Sequence, residues 1–275
     1  MTIDLERPLV LVGAGKMGGA LLTGWLDSGV APELVAIRDP NPPREVALLV
    51  AEGGVSLNAS IEELAARKPV AVVLAVKPQA MPDVLPALSP LVSPETLFVS
   101  IAAGVGADSL DELLGGGAAI VRAMPNTPAS VGRGISGAFA NSRVTGVQKE
   151  LTDGLLAAVG EAVWIEDEAL MDAVTAISGS GPAYVFHLVE AMAAAGVSLG
   201  LPEETAMKLA RATVSGAGEM LHRSDLDAET LRKNVTSPGG TTAAALDVLM
   251  GGEALTEIMK KAALAARDRG RELGK

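Results

Sequence analysis

The sequence predicts an α/β domain with a doubly wound parallel sheet, followed by an all-α domain. Two observations lead to this prediction. Over the first 166 residues, short apolar runs without polar alternation are interleaved with helical patterns, as is typical of parallel strands buried on both faces. After Glu166 no strand-like run follows, and alanine-rich segments with helical spacing take over. We therefore predict an α/β domain at 1–166 and a helical domain at 167–275.

The predicted sheet rests on five apolar runs, with two shorter runs at its edge. The five runs are Pro8–Val12, Leu34–Ile37, Val70–Val76, Thr96–Ile101 and Ala118–Arg122, and the two shorter ones are Ile135–Ala140 and Ala162–Ile165. Between the strands, Ser60 followed by Glu63 has the spacing of a capping box, which predicts a helix start. In the helical part, Gly196 and Gly200 precede Pro202 and predict a helix end there.

Composition excludes several classes of function. The 275 residues include 22 Lys and Arg against 33 Asp and Glu, a net charge of −11, which disfavours nucleic-acid partners. Cysteine is absent, so no disulfide or thiolate metal site is expected. No apolar run reaches the roughly 20 residues of a membrane span, and the first residues do not resemble a secretory signal. We expect a cytoplasmic protein that binds neither nucleic acid nor membrane.

A glycine-rich turn follows the first predicted strand. Gly13, Gly15 and Gly18 form the pattern G-x-G-x-x-G directly before a helical segment. In this context the first glycine permits a tight turn, the second lets the backbone approach a pyrophosphate, and the third lets helix and strand pack closely. The helix N-terminus then offers N–H groups to the phosphates. The motif predicts dinucleotide binding.

The end of the second predicted strand bears on the choice of dinucleotide. Asp39 lies 21 residues after Gly18, near the spacing at which an acidic residue holds the ribose 2′-hydroxyl of NAD. Arg38 beside it suits the 2′-phosphate of NADP instead, and Asp39 could equally cap the next helix. The residues alone leave the choice between NAD and NADP open.

Lys77, at the end of the third predicted strand, is either a cofactor contact or a solvated loop charge.

The segment Thr236–Thr242 carries the second candidate site. Its hydroxyl residues, two glycines and one proline stand between two helical patterns. Such a loop can form a nest of N–H donors at the start of the following helix, which binds a carboxylate without Lys or Arg. His187 is interpreted as a core or interface residue rather than a catalyst, and His222 as a surface residue. No histidine pair with metal spacing occurs, so we predict no metal site.

The motifs VGAGKMGGA, AVKPQ, MPNTPA, SGSGPAY and above all LRKNVTSPGGTTAAAL (Leu231–Leu246) resemble the pyrroline-5-carboxylate reductase family. The resemblance covers essentially the whole chain. It implies a Rossmann-like dinucleotide-binding domain followed by a C-terminal dimerisation domain. It further implies reduction of 1-pyrroline-5-carboxylate to L-proline, usually with NADPH, with NADH as the alternative. The implied assembly is a homodimer, which in the family commonly forms a decamer.

The resemblance also implies site residues at matching positions. Those expected at the cofactor are Val12, Gly13, Ala14, Gly15, Lys16, Met17, Arg38, Asp39, Val76, Lys77, Ala103 and Asn234. Those expected at the substrate are Asp225, Ser237, Gly240, Thr241 and Thr242, with Thr242 as the catalytic residue that hydrogen-bonds the ring nitrogen. Two positions depart from the family pattern. Asp39 stands where Ser or Thr is frequent, and Asp225 stands where some members have Glu.

Two rival functions remain at this point. A β-hydroxyacid or 6-phosphogluconate type of dehydrogenase also places a Rossmann domain before a helical one, but it needs a lysine base on a helix. Lys208 and Lys233 are the candidates, and neither lies in a recognisable motif. A non-catalytic cofactor sensor is the rival from another class, and it has no use for a carboxylate-binding loop.

Overall fold

The structure is a computed structural model that describes residues 5–273. The strands of this part are β1 (Leu9–Val12), β2 (Val35–Arg38), β3 (Ser56–Leu57), β4 (Ala71–Leu74), β5 (Leu97–Ser100), β6 (Ala119–Met124), β7 (Gly134–Ala140) and β8 (Gly160–Trp164). The α-helices are α1 (Lys16–Asp27), α2 (Arg44–Glu52), α3 (Ile61–Ala66), α4 (Met81–Val84), α5 (Ala107–Leu113), α6 (Gly146–Ala157), α7 (Met171–Val174), α8 (Gly181–Ser198), α9 (Glu203–Arg223), α10 (Ala228–Asn234), α11 (Thr241–Met250) and α12 (Ala254–Leu273).

The strands form one sheet in the order β3-β2-β1-β4-β5-β6-β7-β8. All neighbouring pairs are parallel except β6 and β7. Every predicted strand is present, so the predicted α/β architecture is confirmed. The predicted capping box is also present, with Glu63 N–H donating to the Ser60 side chain and Ser60 N–H donating to the Glu63 carboxylate.

The register of the parallel strands determines where a site can form. Val12 lies opposite Arg38 on one side and Leu74 on the other, and Leu74 lies opposite Ser100. These four residues are the last of β1, β2, β4 and β5. The loops that follow therefore begin at one common edge of the sheet, where ligands bind in open α/β sheets.

Two apolar cores lie on the two faces of the sheet. Alternating strand residues such as Leu11, Val73 and Val99 pack with Trp25 of α1 in one core. Their neighbours Val12, Val72 and Phe98 belong to the other. Burial on both faces explains why the strands read as continuous apolar runs without polar alternation.

The chain forms two compact units. One contains the described residues up to Gly179 together with those from Arg267 onward, and the other is Ser180–Ala266. No strand occurs in the described residues after Trp164, in agreement with the predicted all-α part. The domain boundary predicted after Glu166 stays a prediction. No helix between residues 5 and 273 is both long and apolar enough to cross a bilayer.

The predicted helix end before Pro202 is confirmed, with Gly200 after the helix and Gly196 inside it. Helix α8 continues through Gly196 to Ser198, and Gly200 with φ of +94° follows it. Gly196 has a packing role instead, because a Cβ at this position would come within 3.0 Å of the Ala206 Cβ on α9. The glycine therefore permits close approach of two helices rather than ending one of them.

Candidate active site

The glycine-rich turn has the geometry that its pattern predicts. Gly13 adopts φ of +89°, and a Cβ there would lie 2.8 Å from the Ala75 carbonyl oxygen. A Cβ on Gly18 would collide with the Gly13 carbonyl oxygen. Gly15 differs from both, because a Cβ added to it would meet no atom within 4 Å. The first and third glycines thus serve the fold, while the second faces open space that a phosphate group could fill.

Helix α1 presents uncapped N–H groups at this turn. Its N-cap residue, Gly15, makes no side-chain hydrogen bond, and no acidic residue occupies the first turn. The first N–H groups of a helix have no partner inside the helix, and the helix dipole favours an anion beside them. Gly15 and Lys16 also border a cavity of about 470 Å³ that runs along α1. The turn therefore fits the pyrophosphate of a dinucleotide.

Asp39 is hydrogen-bonded to the backbone of the glycine-rich turn. Its Oδ2 accepts a hydrogen bond from Ala14 N at 2.7 Å, and its Oδ1 accepts one from Asn41 N at 2.8 Å. It does not cap the next helix, because α2 begins at Arg44 with Pro43 at its N-cap. The carboxylate is thus fixed beside the turn by two backbone donors.

Asn58 is a residue of this site that sequence reasoning did not assign. It adopts φ of +54°, and its side-chain amide accepts from Asp39 N and donates to Asp39 O, each at 2.9 Å. The Arg38 guanidinium donates to the Ala59 carbonyl through Nη1. A positive φ at an asparagine is uncommon and points to a special local role. It can be read only from the structure, so the sequence did not reveal the two hydrogen bonds between Asn58 and Asp39.

The other predicted cofactor residues of the first unit lie at the same edge of the sheet. Val76 and Lys77 follow β4, where Ala75 N donates to Val12 O at 2.8 Å. Ala103 lies in the loop after β5. Lys77 and Ala103 are exposed, and Val76 is half-buried. The fold thus brings together the turn Val12–Met17, the pair Arg38 and Asp39, and these three residues.

The predicted substrate residues lie in the second unit, together with Asn234. Gly239 has φ of +70°, and Gly240 is the N-cap of α11 without a side-chain hydrogen bond. No acidic residue occupies the first turn of this helix. The start of α11 therefore presents backbone N–H groups and a partial positive charge, which suits a carboxylate. Thr242 is half-buried and Thr241 exposed.

Helix α10 precedes this loop, and two acidic residues make stabilising interactions within the helix. Asp227 caps it by accepting from Thr230 N at 2.7 Å, and this hydrogen bond lowers the pKa of the Asp227 carboxyl. Glu229 lies 2.7 Å from the Lys233 ammonium, and the hydrogen bond from Lys233 lowers the pKa of Glu229. Asp225, before this helix, is exposed.

The residues of the rival interpretations lie at the surface. Lys208 on α9 is exposed, and Lys233 is engaged with Glu229. His187 was predicted in the core or at an interface; it is outside the core of the chain, since its side chain is 81% exposed and its Nδ1 lies 2.9 Å from the Glu190 carboxylate, and the interface alternative stays a prediction. His222 is exposed near the end of α9, as predicted. Between residues 5 and 273, no three His, Asp or Glu residues are grouped to hold a metal ion.

Comparison with known proteins agrees with this geometry. Residues 168–273 match the family of pyrroline-5-carboxylate reductase dimerisation domains, and residues 8–104 match the family of NADP oxidoreductases, coenzyme F420-dependent. A pyrroline-5-carboxylate reductase from Pseudomonas aeruginosa is 45% identical over 96% of both chains. One from Pisum sativum is 38% identical over 96% of this chain and 95% of its own.

Solved structures extend the comparison to the fold. A pyrroline-5-carboxylate reductase from Coxiella burnetii has a TM-score of 0.91 and 36% identity, covering 98% of this chain and 100% of its own. A pyrroline carboxylate reductase from Plasmodium falciparum, solved with NADP bound, has a TM-score of 0.79 and 32% identity, covering 98% and 99%. The sheet edge, the glycine-rich turn and the uncapped start of α11 are thus features of a chain that belongs to the pyrroline-5-carboxylate reductase family.

Proposed function

We propose that the chain reduces 1-pyrroline-5-carboxylate to L-proline with NADPH. The observation that carries the proposal is the start of α11. Gly239 and Gly240 there leave the first N–H groups uncapped, with no acidic residue in the first turn. A small carboxylate is the ligand that such a helix start accepts without a basic side chain. Gly240, Thr241 and Thr242 are assigned to this carboxylate through their backbone N–H groups. Ser237 is assigned to the shape of the loop, and Asp225 to the surroundings of the ring nitrogen.

The glycine-rich turn and its edge of the sheet are assigned to the cofactor. Bound NADPH would supply a hydride from C4 of its nicotinamide to the C=N carbon of the substrate, which is C2 of the pyrroline and becomes C5 of proline, while the ring nitrogen gains a proton. The residues from Val12 to Met17 hold the pyrophosphate, and Val76, Lys77, Ala103 and Asn234 are assigned to the nicotinamide half. Holding the carboxylate fixes the orientation of the ring, and orientation supplies much of the rate in such a reaction.

Thr242 is the proposed catalytic residue, with its hydroxyl hydrogen-bonded to the ring nitrogen. A threonine hydroxyl is too weak an acid to be the sole proton source, so it relays a proton from water or orients a substrate that is already protonated. Thr242→Ala is expected to lower kcat by about tenfold, the effect of losing ~1.4 kcal/mol of transition-state stabilisation, while the Kd of NADPH stays unchanged. Thr242→Ser keeps the hydroxyl and is the matched control. An unchanged kcat in Thr242→Ala would remove this residue from the mechanism.

Arg38 is the proposed contact of the 2′-phosphate. The Asp39 carboxylate, which would repel a phosphate, is already engaged by Ala14 N and Asn41 N. Arg38→Ala is therefore expected to lower kcat/KM for NADPH about tenfold and to leave kcat/KM for NADH within about twofold. Both constants are measured at saturating 1-pyrroline-5-carboxylate. Equal losses for the two cofactors would contradict the assignment.

We further propose that the chain acts as a homodimer and assembles into a decamer, in the cytoplasm. The match to a dimerisation domain and the many exposed apolar side chains of Ser180–Ala266 support the dimer. Sedimentation of the purified protein tests the assembly, and fractionation with the turnover assay tests the compartment.

Turnover of 1-pyrroline-5-carboxylate by folded protein is the primary test of the proposed reaction. Folded protein that binds NADPH but reduces no 1-pyrroline-5-carboxylate would favour the sensor.

A further inference from the structure

A partly buried ion pair in the first unit lies outside the residues assigned to cofactor and substrate. The Arg122 guanidinium on β6 donates from Nη1 to Oε1 of Glu168 at 2.7 Å. The Arg122 side chain is 9% exposed, and its Nε has no hydrogen-bond partner in the part of the chain that the structure describes. Such a pair adds little net stability, because the Arg122 guanidinium loses hydration while the Glu168 carboxylate, 30% exposed, is partly screened by solvent. The groups that the ion pair holds in place indicate its role.

Glu168 holds the start of helix α5. Its Oε1 also accepts a hydrogen bond from Ala107 N, the first residue of that helix, at 2.7 Å. The N-cap position is Gly106, which has no side chain to cap the helix. A carboxylate at a helix N-terminus is favourable for both the hydrogen bond and the dipole. Glu168 is thus a cap supplied from 61 residues away.

The two residues of the ion pair adjoin the two ends of the loop at residues 101–106. Ser100, directly before the loop, lies opposite Arg122 in the β5–β6 ladder, and Ala107, directly after it, is bound by Glu168. Inside the loop Gly104 has φ of +77°. Ala103 and Gly104 form a turn, and no hydrogen bond to another element is found for the backbone N–H groups at 103–105 among residues 5–273. Beyond this turn, the loop is held at its two ends.

We propose that Arg122 and Glu168 are positioning residues for the nicotinamide half of the cofactor. They fix the loop at 101–106, which carries the exposed Ala103. The inference rests on the proposed function only in assigning Ala103 to the nicotinamide. Neither residue touches the reacting atoms: Arg122 orients Glu168, and Glu168 sets the end of the loop through Ala107 N.

Hydrogen–deuterium exchange of the protein without cofactor tests the first step. Glu168→Ala removes the acceptor of Ala107 N, and its partly exposed position favours a folded variant. Exchange of the Ala107 amide, followed in the peptide covering 101–107, is expected to become about tenfold faster. The control is Arg143→Met, which breaks the 3.1 Å ion pair with Asp111 further along α5 and is expected to leave this peptide unchanged. Unchanged exchange in Glu168→Ala would overturn the proposal.

Ligand binding tests the second step without any turnover. NADPH is compared with 2′-phospho-ADP-ribose, which has the adenosine half but no nicotinamide. Glu168→Ala and Arg122→Met are expected to weaken NADPH about tenfold and 2′-phospho-ADP-ribose by less than about twofold. Arg122→Lys keeps a cation for Glu168 and is expected to recover most of the affinity. Equal weakening of both ligands would show a merely structural role and overturn the proposal.

Turnover separates this proposal from the proposed function. With NADPH deuterated at the transferred position, Glu168→Ala is expected to lower kcat about tenfold and to raise the primary isotope effect on kcat, because hydride transfer becomes slower. A smaller active fraction would lower kcat and leave the isotope effect unchanged, which would count against positioning. If wild-type protein reduces no 1-pyrroline-5-carboxylate, the proposed function fails, while the exchange and binding results still decide the role of the pair.

Discussion

Gly15 and Gly18 are two glycines of one motif with different physical roles. A Cβ on Gly18 would collide with the Gly13 carbonyl oxygen, whereas a Cβ on Gly15 would meet nothing within 4 Å. Gly18 is therefore required by the fold itself. Gly15 is required only when another group occupies the space in front of it, which in the proposed function is the pyrophosphate.

This difference gives a prediction at the residue scale. Gly15→Ala is expected to weaken NADPH binding at least about tenfold, while its melting temperature falls by no more than about 4 °C, since alanine is a poorer N-cap than glycine. Gly18→Ala is expected to lose considerably more stability. Gly146→Ala, at another helix start with open space around it, is the control for both measurements. Wild-type NADPH affinity in Gly15→Ala, measured by fluorescence titration, would contradict the assignment.

Single residues show how far the sequence could predict the site. The glycine roles follow from local spacing and could be read in advance. The two hydrogen bonds between Asn58 and Asp39 could not be predicted, because they join residues 19 positions apart and depend on a positive φ at Asn58. Of the two functions open for Asp39, the helix cap could be excluded only from the structure, where its carboxylate accepts from Ala14 N and Asn41 N and Pro43 is the N-cap of α2.

Among the elements, helix α10 and its cap support the loop that precedes α11. Asp227 accepts from Thr230 N, and this hydrogen bond lowers the pKa of Asp227 in the folded chain. A lowered folded pKa means that the ionised carboxylate stabilises the fold. This contribution is complete above the unfolded pKa of about 3.9 and is lost as the pH falls through the lowered folded value.

The prediction at the scale of elements follows from that sign. Asp227→Ala is expected to lower the melting temperature by a constant amount between about pH 5 and pH 7, with the difference from wild type shrinking below about pH 4. Thermal unfolding over this pH series is the measurement. Asp247→Ala, at an exposed position inside α11, is the control. A difference that grows as the pH falls would contradict the role of Asp227 as an ionised cap.

Elements with continuous apolar runs were the most predictable part of the fold. All seven predicted strands formed, and the clearest of them, β1, β4 and β5, are buried on both faces along their whole length. Strand β3 escaped prediction, since Ser56–Leu57 is only two residues long and shows no period. The π-helical turn Thr175–Gly179 was not predicted either, because its hydrogen-bond pattern has no composition signal of its own.

The whole molecule is marked by exposed apolar side chains on the helices of the second unit. Phe186 is 64% exposed and Val248 75% exposed, and many leucines and methionines of the same helices are also exposed. Single exposed apolar residues need no explanation, but a concentration of them marks an interaction surface. The match to a dimerisation domain over 168–273 accounts for it.

A prediction about assembly belongs at this scale. Phe186→Asp places a charge on the exposed apolar side of α8 and is expected to shift the protein toward the 27.8 kDa monomer in sedimentation velocity. Val147→Asp is the control, because Val147 is 76% exposed on α6 of the first unit. A Phe186→Asp protein that sediments as wild type would contradict the assignment of this surface to the dimer. The sequence indicated the helices, but alanine-rich spacing does not reveal which apolar positions stay exposed.

The central claim is hydride transfer from NADPH to the imine carbon of 1-pyrroline-5-carboxylate, and isotope transfer tests it most directly. Purified protein is incubated with this substrate and with NADPH carrying deuterium at the transferred position of C4, and the product is analysed by mass spectrometry. The account predicts L-proline with one deuterium at C5. Unlabelled proline, or no proline from folded protein that binds NADPH, would contradict it.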